Sequence, residues 1–159
     1  GVGSVAVGLR TVAIVGPVTV DTTYTLSAVK GLENDSAQTS VTFGSKRYWG
    51  VSPDADLVAT GISTYAALAL LLEGMQQEFA TTRQTTKSFD CSAGARYVYF
   101  LMPASLGTIT PEIMSGVFPV VLAYTQTFSF TNFSGHTQSY RIYRSNNPQN
   151  ANNVTWSIL

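Results

Sequence analysis

Hydrophobic and polar positions alternate along much of this chain. Val18, Val20, Tyr24, Leu26 and Ala28 are interleaved with Thr19, Thr25 and Ser27, the period-two pattern of a strand with one wet face. A β-branched run over 5–15 precedes it, and Gly16–Pro17 separates the two. The stretch GLENDS (31–36) reads as a turn. A further strand is expected over 39–49, with Val41 and Phe43 on one face and Gly44 marking a bulge. After Gly50 the pattern changes. Residues 51–60 carry Pro53, Asp54 and Asp56 and read as a loop. Tyr65, Leu68, Leu72 and Met75 then recur at helical spacing behind Ser63, a suitable N-cap. The spacing predicts one short inserted α-helix over 64–78, with Gly74 as its break or end.

The second half returns to strands. Residues 81–90 form a polar strand, and Arg96 to Met102 an apolar one whose alternation puts Tyr97 and Tyr99 on one face and Val98 and Phe100 on the other. A strand apolar on both faces belongs between two layers, or between a sheet and a neighbouring subunit. Its tyrosine hydroxyls then need partners. Residues 111–119 read as a loop with a turn of helix at Glu112 to Met114. The runs 120–132 and 138–145 flank Phe133-Ser134-Gly135-His136, a hairpin signal. Asn- and Pro-rich residues 146–153 form a turn before a last strand over 154–159. Roughly eight strands at short spacing with one helix predict a mainly β, antiparallel, jelly-roll-like sandwich. A single domain over 1–159 is expected, and the start at Gly1 fits a processed chain or a piece of a longer one.

Composition changes the picture in one respect. Only 11% of the residues are charged, against ~25% in typical domains. Serine and threonine take their place, and nine basic residues balance nine acidic ones. A neutral, hydroxyl-rich surface offers little electrostatic resistance to association, which favours a subunit of an assembly. Lys46–Arg47 is the longest basic cluster, so the stripe that neutralises phosphates is missing and a nucleic-acid partner is not expected. No signal peptide is legible. The longest apolar run, 65–72, has eight residues, short of the ~20 that span a bilayer, so no membrane insertion is expected.

Candidate chemistry is sparse. Cys91 is the single cysteine and reads as a small buried hydrophobe. His136 is the single histidine and sits in the hairpin turn, so neither a histidine triad nor a multi-histidine metal site can be built from it alone. Asp54 and Asp56, with Glu73, Glu78, Asp90 and Glu112 elsewhere, could in principle form a carboxylate pair that cuts glycosides. A calcium loop starting at Asp54 fails where Val58 replaces an oxygen ligand. They read as solvated loop acids. Asn34, Asn132 and Asn153 stand in glycosylation-type triplets at chance frequency. No catalytic residue, cofactor or metal is expected. Tyr48, Trp49, Tyr97, Tyr99 and Trp156 could stack on sugar faces. For Tyr48, Trp49, Tyr97, Tyr99 and Phe100, core or subunit-interface packing is the better reading.

Three stretches occur in order: VTFGSKRYWG (41–50), RYVYFLMPASLGT (96–108) and FTNFSGHTQSYRIYRSNN (130–147). An aromatic pair ending in glycine, an aromatic strand entering a Pro-Ala-Ser-Leu-Gly turn, and a Tyr-Arg-x-Tyr-Arg-Ser hairpin together resemble β-rich domains of tailed-bacteriophage tail fibre and baseplate proteins. The likeness spans roughly residues 18 to 159. It implies a homotrimeric virion component of the phage tail that touches other tail or baseplate proteins and helps attach to a bacterial surface glycan or protein. The family pattern carries no catalytic residues.

Loop tips project from a rigid scaffold and do the contacting in such a module. The expected receptor-binding residues are Asp54 and Asp56 in the loop 51–61, Ser134 and His136 in the hairpin tip, and Asn147 and Gln149 in the turn 146–153. The competing classes are a freestanding carbohydrate-binding module, with Trp49 and Trp156 exposed, and a glycan-degrading enzyme working through Asp54 or Asp56. Other virion roles, such as capsid decoration, complete the alternatives.

Overall fold

A computed structural model describes residues 22–30, 33–41, 44–109, 113–115, 118–120, 122–151 and 154–158. The run over 5–15, the Gly16–Pro17 break, Glu112 and Asn153 lie outside the described residues. Contacts divide the chain into two compact units, 1–43 and 44–159.

In the first unit, β1 (Thr22–Lys30) pairs antiparallel with β2 (Glu33–Val41), in continuous register from Thr22↔Val41 to Lys30↔Glu33. Glu33 to Ser36, expected within a turn over 31–36, belong to the ladder instead. Hydroxyl and amide groups pair across it. Thr23 Oγ1 lies 3.1 Å from Ser40 Oγ, and Gln38 Nε2 donates to Thr25 Oγ1 at 3.3 Å. Such cross-strand pairs each contribute a few tenths of a kcal/mol, about 0.2–1.

The second unit runs β3 (Lys46–Ser52), α1 (Tyr65–Leu71), β4 (Glu73–Phe79), β5 (Thr85–Phe89), β6 (Tyr97–Pro103), β7 (Ile113–Ser115), β8 (Phe118–Val120), β9 (Leu122–Thr131), β10 (Thr137–Ser145) and β11 (Val154–Ile158). Its strands form two antiparallel sheets, ordered β4-β3-β6-β10-β9 and β5-β11-β7-β8. The described residues are mainly β with one short α-helix, as the sequence pattern predicts.

Five local expectations are corrected. The strand expected over 39–49 is divided: β2 ends at Val41 and β3 starts at Lys46. The bulge falls at Gly50 instead of Gly44. Trp49 pairs with Gln76 and Val51 with Glu73, so Gly50 alone faces Gly74 and Met75. The helix expected over 64–78 ends at Leu71, and its second half is the strand β4. Helix-forming Met, Gln and Glu are overridden there by the ladder to β3, and Gly74 adopts a left-handed φ of 61° that suits the bulge. The N-cap is Thr64, whose Oγ1 accepts from Ala67 N at 3.3 Å, while Ser63 O accepts from Thr131 N. Finally, the loop expected over 111–119 contains β7 and β8, drawn into extended form by pairing of Trp156 with Ser115 and Ile113 with Val120.

Two buried clusters explain the layering. Val98, Phe100 and Met102 of β6, Val51 of β3 and Tyr143 of β10 pack with Phe89, Val154, Trp156 and Ile158 from the four-stranded sheet. That is the core of a β-sandwich. On the other face, Tyr48, Tyr99, Leu101, Phe130, Tyr140 and Ile142 pack with Leu57, Ile62, Leu68 and Leu72 from the crossing loop and α1. The five-stranded sheet is thus covered on both faces. Gly50 permits this cover, because a Cβ there would lie 2.7 Å from Leu72 Cγ. The aromatic strand faces layers of its own chain on both sides.

Phe100 has no exposed surface, and its ring meets Phe89 at 5.2 Å and Trp156 at 6.3 Å between centroids. Phe100→Ala is expected to lower unfolding stability by about 3–5 kcal/mol in urea titration. A loss below about 1 kcal/mol would contradict a packed sandwich core at this ring.

Candidate functional surface

The ladder registers decide which loops share an end of the sandwich. Ser52 lies opposite Tyr97, and Arg144 opposite Tyr99. The loop that leaves β3 and the turn that leaves β10 therefore emerge at the same end, where β6 begins. They carry Asp54 and Asp56, and Asn147 and Gln149. Four of the six predicted contact residues lie on segments that emerge at this end.

This end is held by bonds from the sheet to loop backbone. Tyr99 Oη donates to Asp54 O at 2.6 Å, and Arg144 Nη1 donates to Ala55 O. The Arg144 guanidinium also covers the Tyr97 ring, 4.7 Å from its centroid. Burial pushes the Tyr99 hydroxyl well above the ordinary phenol range, so it stays a proton donor. Within the loop, Asp54 Oδ1 accepts from Asp56 N at 2.9 Å and Asp56 Oδ1 from Ala59 N at 3.1 Å. The two carboxylates thus brace their own turns. On the neighbouring turn, Arg96 and Gln149 exchange both backbone bonds, at 2.9 and 2.7 Å, and Gln149 Nε2 donates to Asn147 O.

Ser134 and His136 lie at the opposite end. Tyr140 pairs with Pro103, the last residue of β6, and the β9–β10 hairpin continues beyond it. Asn132 Oδ1 organises this tip by accepting from Ser134 N and His136 N, at 2.9 and 3.0 Å. Phe133 is 83% exposed and meets Tyr65 of α1 edge-on at 5.5 Å. The predicted contact residues therefore form two surfaces, not one.

The edge where β4 and β5 face each other is the third feature, and sequence reading left it out. Glu78 of β4 ties the two sheets together. Its Oε2 accepts from Lys87 Nζ at 2.5 Å, and its Oε1 accepts from Thr85 Oγ1 at 3.3 Å and lies 2.9 Å from Arg47 Nε. Burial raises the Glu78 carboxyl, but the hydrogen bond and charge of Lys87 and the charge of Arg47 outweigh it and hold it below its ordinary value. Beside this joint lies a groove of about 410 Å³ that includes Trp49, Glu73, Gln76, Ser88 and Asp90. Lys87 Nζ stands 4.1 Å from the Trp49 ring centroid. The groove reaches the loop end, because Arg96 Nε donates to Glu73 Oε2 at 2.7 Å and Cys91 N donates to Ala151 O at 3.3 Å.

The aromatics sort accordingly. Tyr48, Tyr99 and Phe100 are buried, whereas Trp49 and Tyr97 are half-buried. Trp156 is 1% exposed. Cys91 is buried with the sandwich core, where desolvation raises its thiol. Among the described residues, no group of three or more His, Cys, Asp or Glu side chains could hold a metal ion. None of the described helices is long and apolar enough to cross a membrane. No protein-family model, curated protein or solved structure matches the chain.

The Glu78 joint predicts an acid-side weakness. Its folded-state carboxyl is depressed, so its contribution is present above the ordinary value of 4.5 and fades as pH falls through the lower folded value. The urea midpoint is expected to drop below that pH in the parent chain, and less steeply in Glu78→Gln. Parallel profiles for the two proteins would remove Glu78 as the cause.

Proposed function

We propose that this chain is a non-enzymatic virion component of tail-fibre type that helps a bacteriophage attach to its bacterial host. The observation that carries this reading is the braced loop end. Tyr99, Arg144 and Arg96 hold the segments around Asp54 and Gln149 against a sheet buried on both faces. Polar groups presented from a stiff scaffold lose little entropy on contact, which suits recognition. Asp54, Asp56, Asn147 and Gln149 offer carboxylate and amide groups to a surface glycan or protein. The low charge of 11% and the ordered motifs support a subunit of an assembly, working as a homotrimer beside other tail or baseplate proteins.

A second reading is a freestanding carbohydrate-binding module. It is favoured by half-buried Trp49 at the edge groove and weakened by the burial of Trp156.

Labelled protein applied to a panel of bacterial strains is expected to bind a susceptible surface saturably. Replacing Asp56 and Asn147 by alanine should weaken this at least tenfold, about the effect of losing a contact hot spot. Absence of binding on every strain tested would overturn the attachment reading. Light scattering is expected to give roughly a trimer mass, about three times 17.0 kDa. A monomer that binds free sugar would favour the freestanding module.

A further inference from the structure

We propose that the groove at the β4–β5 edge is a binding site for a neutral saccharide of one or two pyranose rings. This goes beyond the attachment reading: the groove uses residues separate from the predicted loop tips, and a sugar bound there would serve an attachment module and a freestanding one alike.

The chemistry of the lining carries the argument. A pyranose presents a ring of hydroxyls at its rim and C–H groups on its faces. It therefore needs planar hydrogen-bonding side chains beside an aromatic surface. Gln76 and Asp90 are exposed, and half-buried Trp49, with Lys87 Nζ over one face of its ring, provides aromatic surface. At about 410 Å³ the groove falls within the range of small-ligand sites, roughly 300–1,000 Å³. Asp90 Oδ1 accepts from Ser92 N at 2.9 Å, and the Ser92 hydrogen bonds hold its carboxyl below the ordinary range. It is thus an ionised acceptor for sugar hydroxyls at neutral pH.

Charge selects a neutral ligand. Glu73 and Asp90 bring two carboxylates to the lining. The neighbouring cations are engaged, Arg96 with Glu73 and both Lys87 and Arg47 with Glu78, so the charges around the groove balance. A phosphate or uronic acid would enter beside acidic groups without gaining an unengaged partner from these pairs. The backbone contributes as well. The bulge at Gly50 and Gly74 bends the edge strand away from regular pairing, and the space where a Gly74 Cβ would stand has no atom within 4 Å. Bulges of this kind re-aim side chains beside functional sites.

The experiment is titration of the purified chain with maltose, lactose, cellobiose and N-acetylglucosamine, read by tryptophan emission and by saturation-transfer NMR. The chain has two tryptophans. Trp156 is 1% exposed, so a change on adding sugar reports Trp49. At least one of these sugars is expected to give a saturable change at millimolar concentration. The change should vanish in Trp49→Phe, while the NMR signal weakens at least tenfold in Gln76→Ala and in Asp90→Asn. The last two replace exposed side chains, so each variant's unfolding midpoint should match the parent. No response to any of the four sugars at tens of millimolar overturns the proposal. Equal binding of glucuronic acid overturns the neutral class. Unaltered binding in both Gln76→Ala and Asp90→Asn moves the sugar elsewhere and overturns the site. Cell attachment without a Trp49 response would sink this proposal and leave attachment standing. A sugar response without attachment to any strain would do the reverse.

Discussion

The structure depends on one strand being apolar on both sides. β6 sends Val98, Phe100 and Met102 into the sandwich core and Tyr99 and Leu101 into the layer made by the crossing loop and α1. A central strand wet on one face would need only one covering layer. Here both faces must leave water, and each fully buried large apolar side chain contributes about 1.5–3 kcal/mol. The short α1 follows from this demand. Seven residues make a marginal helix by themselves, and α1 persists because Leu68 is buried against the sheet with its neighbour Leu72.

Burying tyrosine in such a strand creates a second constraint. A buried hydroxyl without a partner costs about 1–3 kcal/mol, so every ring that turns inward must find backbone or a side chain. Tyr99 finds Asp54 O, Tyr140 finds Lys46 O, and Tyr143 accepts from Ile109 N. In each case the partner lies at the end of a strand or in a loop. Core packing and loop geometry are therefore joined through the same side chains. A loop that looks like a surface feature is positioned from inside the sheet.

Local chemistry made some of this legible in the sequence. The two faces of β6 follow from alternation, and the hairpin around Ser134 follows from a polar turn with glycine between two strand patterns. The loops of Asp54 and Gln149 are recognisable by composition alone. What alternation cannot show is that they meet at one end and that His136 lies at the other, because that is set by the pairing of Ser52 with Tyr97 and Tyr140 with Pro103. The strand β4 was hidden for a related reason. Its residues favour helix locally, and only the distant β3 makes an extended form cheaper. Nor does the edge groove have a sequence signature. Trp49, Gln76 and Asp90 come from three separate segments, and nothing in any one of them points to the other two.

The same edge bears on how copies of a chain of net charge zero could stack. An open strand edge is a template for further strands, and a weakly charged surface does little to prevent stacking. β4 carries Glu73 at its start and Glu78 near its end, and the bulge at Gly74 breaks the regular spacing between them. A strand arriving to extend the sheet would meet interrupted donor and acceptor spacing, and would have to disturb carboxylates already committed to Arg96, Lys87 and Arg47. Growth of the sheet is disfavoured on this side. Any ordered association of copies is thereby steered to other faces of the molecule, and open-ended fibrils built by β4 pairing are disfavoured.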